Sequence, residues 1–186
     1  MRRKSACAAG PAAEVPRLVE AAVADGWEVC VIGTPAACQG GFVDMGAVEE
    51  ATGRPVRCDW RRSGEAKRNP PADAVIVAPM TMNTANKFAA GIADTYALGL
   101  LVEAVGLGLP VVAVPFWSTA LDGHPATRRA VRVLRAVGVR VLYGPGEWEP
   151  HPPGTGGEHL ASYPWRLALE TVTGMIGEGR RERDGA

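Results

Sequence analysis

The stretch Asp73-Ala74-Val75-Ile76-Val77-Ala78-Pro79-Met80-Thr81-Met82-Asn83-Thr84 decides the fold. Residues 74–78 are all apolar, are introduced by Pro70-Pro71 and Asp73, and are stopped by Pro79. An unbroken apolar run of that length, with no alternating polar face, predicts a strand buried on both sides, and such strands belong to parallel sheets covered by helices. A proline holds the residue before it extended, so the strand is expected to end there.

The same grammar continues downstream. Residues 83–107 read as helical with a break near Gly91, and a second unbroken apolar strand over 109–114 again stops at a proline, Pro115. Residues 124–137 space Ala126, Ala130, Val133, Leu134 and Val137 as an amphipathic helix, which leaves Arg128, Arg129, Arg132 and Arg135 as its solvated face. Gly138 ends it, and 139–143 read as a strand.

Upstream, residues 14–24 put Val15, Leu18, Val19, Ala22 and Val23 on one stripe and stop at Asp25-Gly26. Residues 27–32 then read as a strand and 55–58 as a weak one. The first strand has only Ser5-Ala6-Cys7-Ala8-Ala9 to draw on, behind three charged residues, and looks truncated. Strands alternating with helix-length segments define the class: α/β, a three-layer Rossmann-like (flavodoxin-like) parallel sheet with helices on both faces.

The 186 residues suit one domain. Residues 144–157 hold four prolines and five glycines, which predicts a long loop, a flexible flap over 144–160. A last helix is expected over 163–175, with a frayed tail over 178–186.

Twenty basic residues balance twenty acidic ones, so no charge excess favours a nucleic acid or an anionic membrane. The longest apolar stretch, 98–109, contains Glu103 and three glycines and is too short to span a bilayer. Met1-Arg2-Arg3-Lys4 has no apolar core behind it, so a cytoplasmic location is expected. Cys7, Cys30, Cys38 and Cys58 form no CxxC and have no histidine at ligand spacing, which argues against a metal site and against a disulfide framework. They are read as buried, inert thiols.

Ligands of open parallel sheets bind at the carboxyl ends of the strands. Those ends here are rich in small residues and hydroxyls: Ala9-Gly10-Pro11-Ala12, Gly33-Thr34-Pro35-Ala36, Pro79-Met80-Thr81 and Pro115-Phe116-Trp117-Ser118. Glycines that admit close backbone approach, free amides at a helix start and the hydroxyls of Thr34, Thr81 and Thr84 suit a phosphate. No GKS or GKT makes a P-loop, and no GxGxxG is present.

The segment from Asp73 to Asp94 resembles the signature of the homo-oligomeric flavin-containing cysteine decarboxylases, the phosphopantothenoylcysteine and peptidyl-cysteine decarboxylase family. That signature is a strand, Pro-Ala-Thr/Ser-x-Asn-Thr, and a helix with a Lys and an Asn-Gly-Ile-Ala-Asp-like end. Pro79, Thr81, Asn83, Thr84, Lys87, Gly91, Ile92, Ala93 and Asp94 keep it, while Met80 replaces a small residue and Ala90 the Asn. A looser likeness covers residues 8–143.

The resemblance implies a subunit that binds FMN at its strand ends, assembled as a trimer or dodecamer with flavin at a subunit interface. It implies a phosphate site at Gly10, Ala12, Thr34 and Thr84, a ring edge wrapped by Pro79, Met80, Thr81 and Asn83, and an aromatic contact from Phe42. Trp117 is read as stacking near the flavin or shaping a pocket, or equally as filling the core or a subunit interface. The family's catalytic His is replaced by Glu65, eight residues before Asp73, a candidate base beside Lys67. In the second catalytic motif, Pro-Ala-Met-Asn, only Pro115 survives, and the Asn that holds a substrate carboxylate is absent.

His124 begins a helix, and His151 and His159 bracket the loop, so surface or capping roles are expected for all three. Arg166 and Glu170 have the spacing of an ordinary helical ion pair, which offers nothing to flavin prenyl transfer. The chemistry expected is therefore a diverged flavin-dependent oxidoreductase or decarboxylase reaction, a carbon–carbon lyase if active, on a thiol-bearing small molecule or peptide, with Asn83 and Glu65 as catalytic candidates. The alternative is a non-catalytic flavoprotein-fold subunit or regulator.

Overall fold

The computed structural model describes residues 2–6, 9–61, 63–64 and 71–184. The chain enters as β1 (Arg2–Ala6), makes a 3-10 turn (Gly10–Glu14) and runs directly into α1 (Val15–Ala24). It continues through β2 (Val29–Gly33), α2 (Pro35–Gln39), α3 (Met45–Thr52), β3 (Ala74–Met80), α4 (Met82–Ala89) and α5 (Tyr96–Gly106). β4 (Val111–Pro115), α6 (Thr119–Asp122), α7 (Pro125–Ala136), β5 (Arg140–Val141), a second 3-10 turn (Gly156–His159) and α8 (Trp165–Asp184) complete it.

All strand pairs are parallel, in the order β2-β1-β3-β4-β5. This is the flavodoxin-like winding. Alternation along the strands sorts side chains to two faces: Val29, Val31, Ala74, Ile76, Val112 and Val114 pack with α1, α3 and α8. Val75, Val77, Val111 and Ala113 pack with α4, α5 and α7 on the other. The register shifts between Val77 and Met80, and Met80 joins the second face.

The expected break near Gly91 separates α4 from α5. Gly91 takes φ 70°, a left-handed conformation that a side chain would resist. Lys87 and Asp94 of the resemblance motif close this turn by an ion pair at 2.5 Å, and the Ile92 amide donates to the Lys87 carbonyl. Their role here is to join two helices.

Several expectations are corrected. β1 lies at residues 2–6 rather than 5–9 and is central, paired with β2 and β3. Backbone hydrogen bonds on both sides recruit a segment whose composition is poor for a strand. The weak strand at 55–58 is a single bridge, Ile32 to Arg57, with the Gly33 amide donating to the Arg57 carbonyl at 2.9 Å. Cys38 and Cys58, read as inert thiols, form a disulfide with Cα atoms 6.3 Å apart, whereas Cys30 is buried in β2. The last helix continues to Asp184.

His124 does cap α7, its Nδ1 accepting the Ala126 amide at 3.1 Å. His151 does not sit at the surface. It is buried, its carbonyl accepts the Thr119 amide at 2.8 Å, and it bridges to Ser118 just past β4. The proline-rich segment around it is thereby fastened to the sheet edge.

Candidate functional site

The chain leaves β1 toward β2 on one side and returns to β3 on the other, so strand order reverses between β1 and β3. The crevice at such a switch point is where α/β sheets hold ligands. The turn after β1, carrying Gly10 and Ala12, and the start of α4 after β3, carrying Thr81, Asn83 and Thr84, flank it. Thr34 follows β2 one strand away.

Three successive strand ends turn into helices through a hydroxyl. Thr34 accepts the Ala37 amide at 3.3 Å, Thr81 accepts the Thr84 amide at 3.2 Å, and Ser118 accepts the Leu121 amide at 3.4 Å. A strand that must end, with a side-chain oxygen to satisfy the first helical amides, is the local reason these sequences fold this way. The helix starts consequently aim their partial positive charge at the same edge of the sheet. Thr81 also donates its hydroxyl to that of the buried Thr84, at 3.1 Å.

At the Gly10 turn, a Cβ built on Gly10 would lie 3.0 Å from Leu160 and 3.4 Å from Phe116. Ala12 is fully buried and its amide already donates to the Ala9 carbonyl, and Pro11 has no amide to offer. Pro79 and Met80 are buried at the end of β3, while Asn83 is exposed on the first turn of α4. One helical turn further, the Oδ1 of Asn86 is buried without a partner. Asn86 carried no role in the sequence reading; its three-residue spacing from Asn83, which puts both amides on neighbouring helix positions, was the available signal.

The remaining sequence candidates are dispersed. Phe42 is 43% exposed at the far end of α2, packed against Gly40. Trp117 is buried in the core of the α4–α5–α7 face, its indole Nε1 donating to Asp122 Oδ1 at 3.2 Å and its ring 5.9 Å from that of Tyr143. Glu65 lies outside the described residues.

Asp122 also accepts the Tyr143 hydroxyl at 2.5 Å. Burial, reinforced by this bond and by the Asp122 charge, pushes the Tyr143 phenol up to about 12. This network ties α6 to the chain after β5.

Beside β4, Phe116 stands where a small residue was expected from the resemblance. Its ring lies 4.9 Å from that of His151, 5.8 Å from Tyr163 and 6.0 Å from Trp148, and Tyr163 donates to the Val114 carbonyl at 2.7 Å. An aromatic cluster therefore forms a floor beside the end of β4, against the Gly10 turn. Among the described residues no group of three or more His, Cys, Asp or Glu could hold a metal, and no helix is long and apolar enough to cross a membrane.

The architecture and its hydroxyl-capped strand ends define a flavodoxin-like α/β protein with a switch point between β1 and β3. Residues 6–157 match the Flavoprotein family model, and the chain belongs to that family. It is 30% identical over 109 residues to a cysteine/cysteine sulfinic acid decarboxylase from an unidentified prokaryote, covering 59% of this chain and 23% of that protein. It is 39% identical over 67 residues to mouse phosphopantothenoylcysteine decarboxylase, covering 36% of this chain and 32% of that protein. These matches thus span a third or less of the curated relatives. In fold it is similar to the FMN-dependent cysteine decarboxylase SpaF, with a TM-score of 0.66, 24% identity and coverage of 93% of this chain and 97% of that one. It is also similar to TvaF, an FMN-dependent cysteine decarboxylase from thioviridamide biosynthesis, with a TM-score of 0.69, 24% identity and coverage of 92% and 96%.

Proposed function

We propose that the chain binds FMN across the switch-point crevice and performs flavin-dependent oxidation coupled to decarboxylation on a thiol-bearing small molecule or peptide. The observation that carries this reading is the pair of hydroxyl-capped helix starts at this edge of the sheet, Thr34 after β2 and, inside the motif that spans Pro79 to Thr84, Thr81 after β3 beside the β1/β3 switch point. The donor set fits the cofactor. The backbone at Gly10 and the hydroxyls of Thr34 and Thr84 suit a phosphate, and the partnerless buried Oδ1 of Asn86 is an acceptor that a ring amide or a neighbouring subunit would satisfy.

When bound, FMN supplies the two-electron acceptor that oxidises the carbon bearing the thiol. The protein's part is to hold and orient. Thr81 and Asn83, with the backbone of Pro79 and Met80, would line the ring edge, and the exposed carboxamide of Asn83 could donate and accept toward ring or substrate. Glu65 is the candidate proton acceptor. Ser118 occupies the position of the family's carboxylate-binding Asn and has a shorter side chain, so the substrate grip differs from that of ordinary cysteine decarboxylases.

A homo-oligomer, trimer or dodecamer, in the cytoplasm completes the proposal. The exposed apolar residues Phe42, Met45, Trp60 and Ile92 are consistent with burial against a second copy. A purely structural subunit or regulator draws no support from the site.

The test is anaerobic mixing of the FMN-loaded protein with cysteine-terminated peptides and small cysteine derivatives, following flavin absorbance and carbon dioxide release. Substrate-dependent bleaching that Asn83→Ala slows by roughly tenfold or more is the expected result. No bleaching by any thiol carboxylate, in protein that holds FMN, would contradict the catalytic reading.

A further inference from the structure

The Cys38–Cys58 disulfide lies directly against the turn that carries Thr34. A Cβ built on Gly33 would be 2.5 Å from Cys38 Sγ and 3.9 Å from Cys58 Sγ, so the backbone of this turn rests on the sulfur pair. The Cys38 amide donates to the Thr34 carbonyl at 3.1 Å, and Thr34 caps the same helix through its side chain. That helix, α2, is only five residues long, with Ala37 and Cys38 as its buried residues. A helix so short does not hold its shape alone, and its conformation depends on what pins it.

The other end of the bridge belongs to the segment that pairs Arg57 with β2 and sends Trp60 across to α5. Two separate parts of the chain thus meet at one bond beside one turn. Cys38 is buried, at 9% exposure, but Cys58 is half-buried and so offers an exchanging thiol an approach.

We propose that Cys38 and Cys58 form a reversible thiol–disulfide site that sets flavin affinity through the Thr34 turn, an inference that rests on that turn belonging to the phosphate site. In the exchange, a thiolate of an external dithiol attacks one sulfur and the Cys38–Cys58 bond breaks. The second thiol of the dithiol then displaces the mixed disulfide, leaving two protein thiols and one oxidised dithiol. Two electrons pass from the dithiol to the protein sulfurs and no other reactant is needed. With the bond intact, the Thr34 hydroxyl and the Gly33–Thr34 backbone are held in place before the ligand arrives; once it opens, they must be ordered during binding.

The test uses the full chain, prepared once with oxidised and once with reduced dithiothreitol. Alkylation and peptide mass measurement assign the sulfur state, quenching of flavin fluorescence gives the FMN dissociation constant, and hydrogen exchange follows the amides of α2. The expected result is a Cys38–Cys58 link in the oxidised protein, a roughly tenfold loss of FMN affinity on reduction, and faster exchange in α2. Cys58→Ser should show the reduced values with or without dithiol.

Equal FMN affinity and equal α2 exchange in the two forms would overturn the inference, as would alkylation of both thiols in protein kept oxidised. Absence of FMN binding in both forms, with α2 exchange still responding to dithiol, would overturn the affinity claim through the flavin reading and not through the disulfide.

Discussion

Thr81 uses its hydroxyl twice, accepting the Thr84 amide and donating to the Thr84 hydroxyl. Replacing Thr81 by Ala removes a cap and should cost about 1 kcal/mol in urea unfolding, together with FMN affinity. Asn83 makes the contrast: it is exposed on α4, so Asn83→Ala should leave stability within about 0.5 kcal/mol while weakening flavin binding and turnover. Tyr143 gives a pH signature. Its folded pKa is raised above the ordinary value of 10.0 to about 12, so the neutral phenol is favoured by folding. That contribution is complete below pH 10 and is lost as the pH rises toward 12. Tyr143→Phe should therefore flatten the alkaline fall in stability measured by denaturant unfolding between pH 8 and pH 11, approximately the onset of that window. At this scale the sequence placed Thr34 and Thr81 at strand ends and read their hydroxyls as phosphate donors; that they cap α2 and α4 was not read, although a hydroxyl beside a strand end can reach the first helical amides. For Trp117 the sequence left flavin stacking and core filling equally open; it joins the core and hydrogen-bonds Asp122, a choice decided by partners distant in the chain.

Among the elements, the unbroken runs that end at Pro79 and Pro115 became β3 and β4, and Gly91 did divide the helical stretch after β3. The misreadings share a cause. β1 is held by neighbours on both sides, the 55–58 segment by one bridge, and His151 by a contact with Ser118; each depends on pairing between segments that composition does not report. The disulfide belongs here too, since a separation of 20 residues without a CxxC gives no spacing signal. Removing it by Cys58→Ala should lower stability under oxidising conditions by about 3 kcal/mol, the chain-entropy value for a loop of this size, and by much less in reductant. Gly99 and Trp60 offer a second test. A Cβ at Gly99 would clash with the far edge of the Trp60 ring, which is 55% exposed and sits 5.3 Å from Tyr96. Gly99→Ala should move Trp60 away and shift its fluorescence, at a stability cost under about 1 kcal/mol because an exposed side chain can swing aside.

For the molecule as a whole, winding a parallel sheet in the order β2-β1-β3-β4-β5 brings the Gly10 turn and the α4 start to one crevice, although they are seventy residues apart in the chain. The class of sheet was readable from strand composition. The aromatic floor of Phe116, Trp148, His151 and Tyr163 was not, because it assembles from two loops and a helix approach that meet only after folding. Membership of the Flavoprotein family and the hydroxyl-lined switch point lead to one central claim, that FMN is the ligand of this crevice. The most direct measurement is the visible absorption spectrum of the freshly purified protein, followed by chromatographic identification of any released chromophore and titration of the stripped protein with FMN. The account predicts a yellow protein that releases FMN, rebinds it, and loses that capacity when Thr34 and Thr84 are both replaced by Val in a chain that remains folded by circular dichroism. A colourless protein that takes up no added FMN would contradict it.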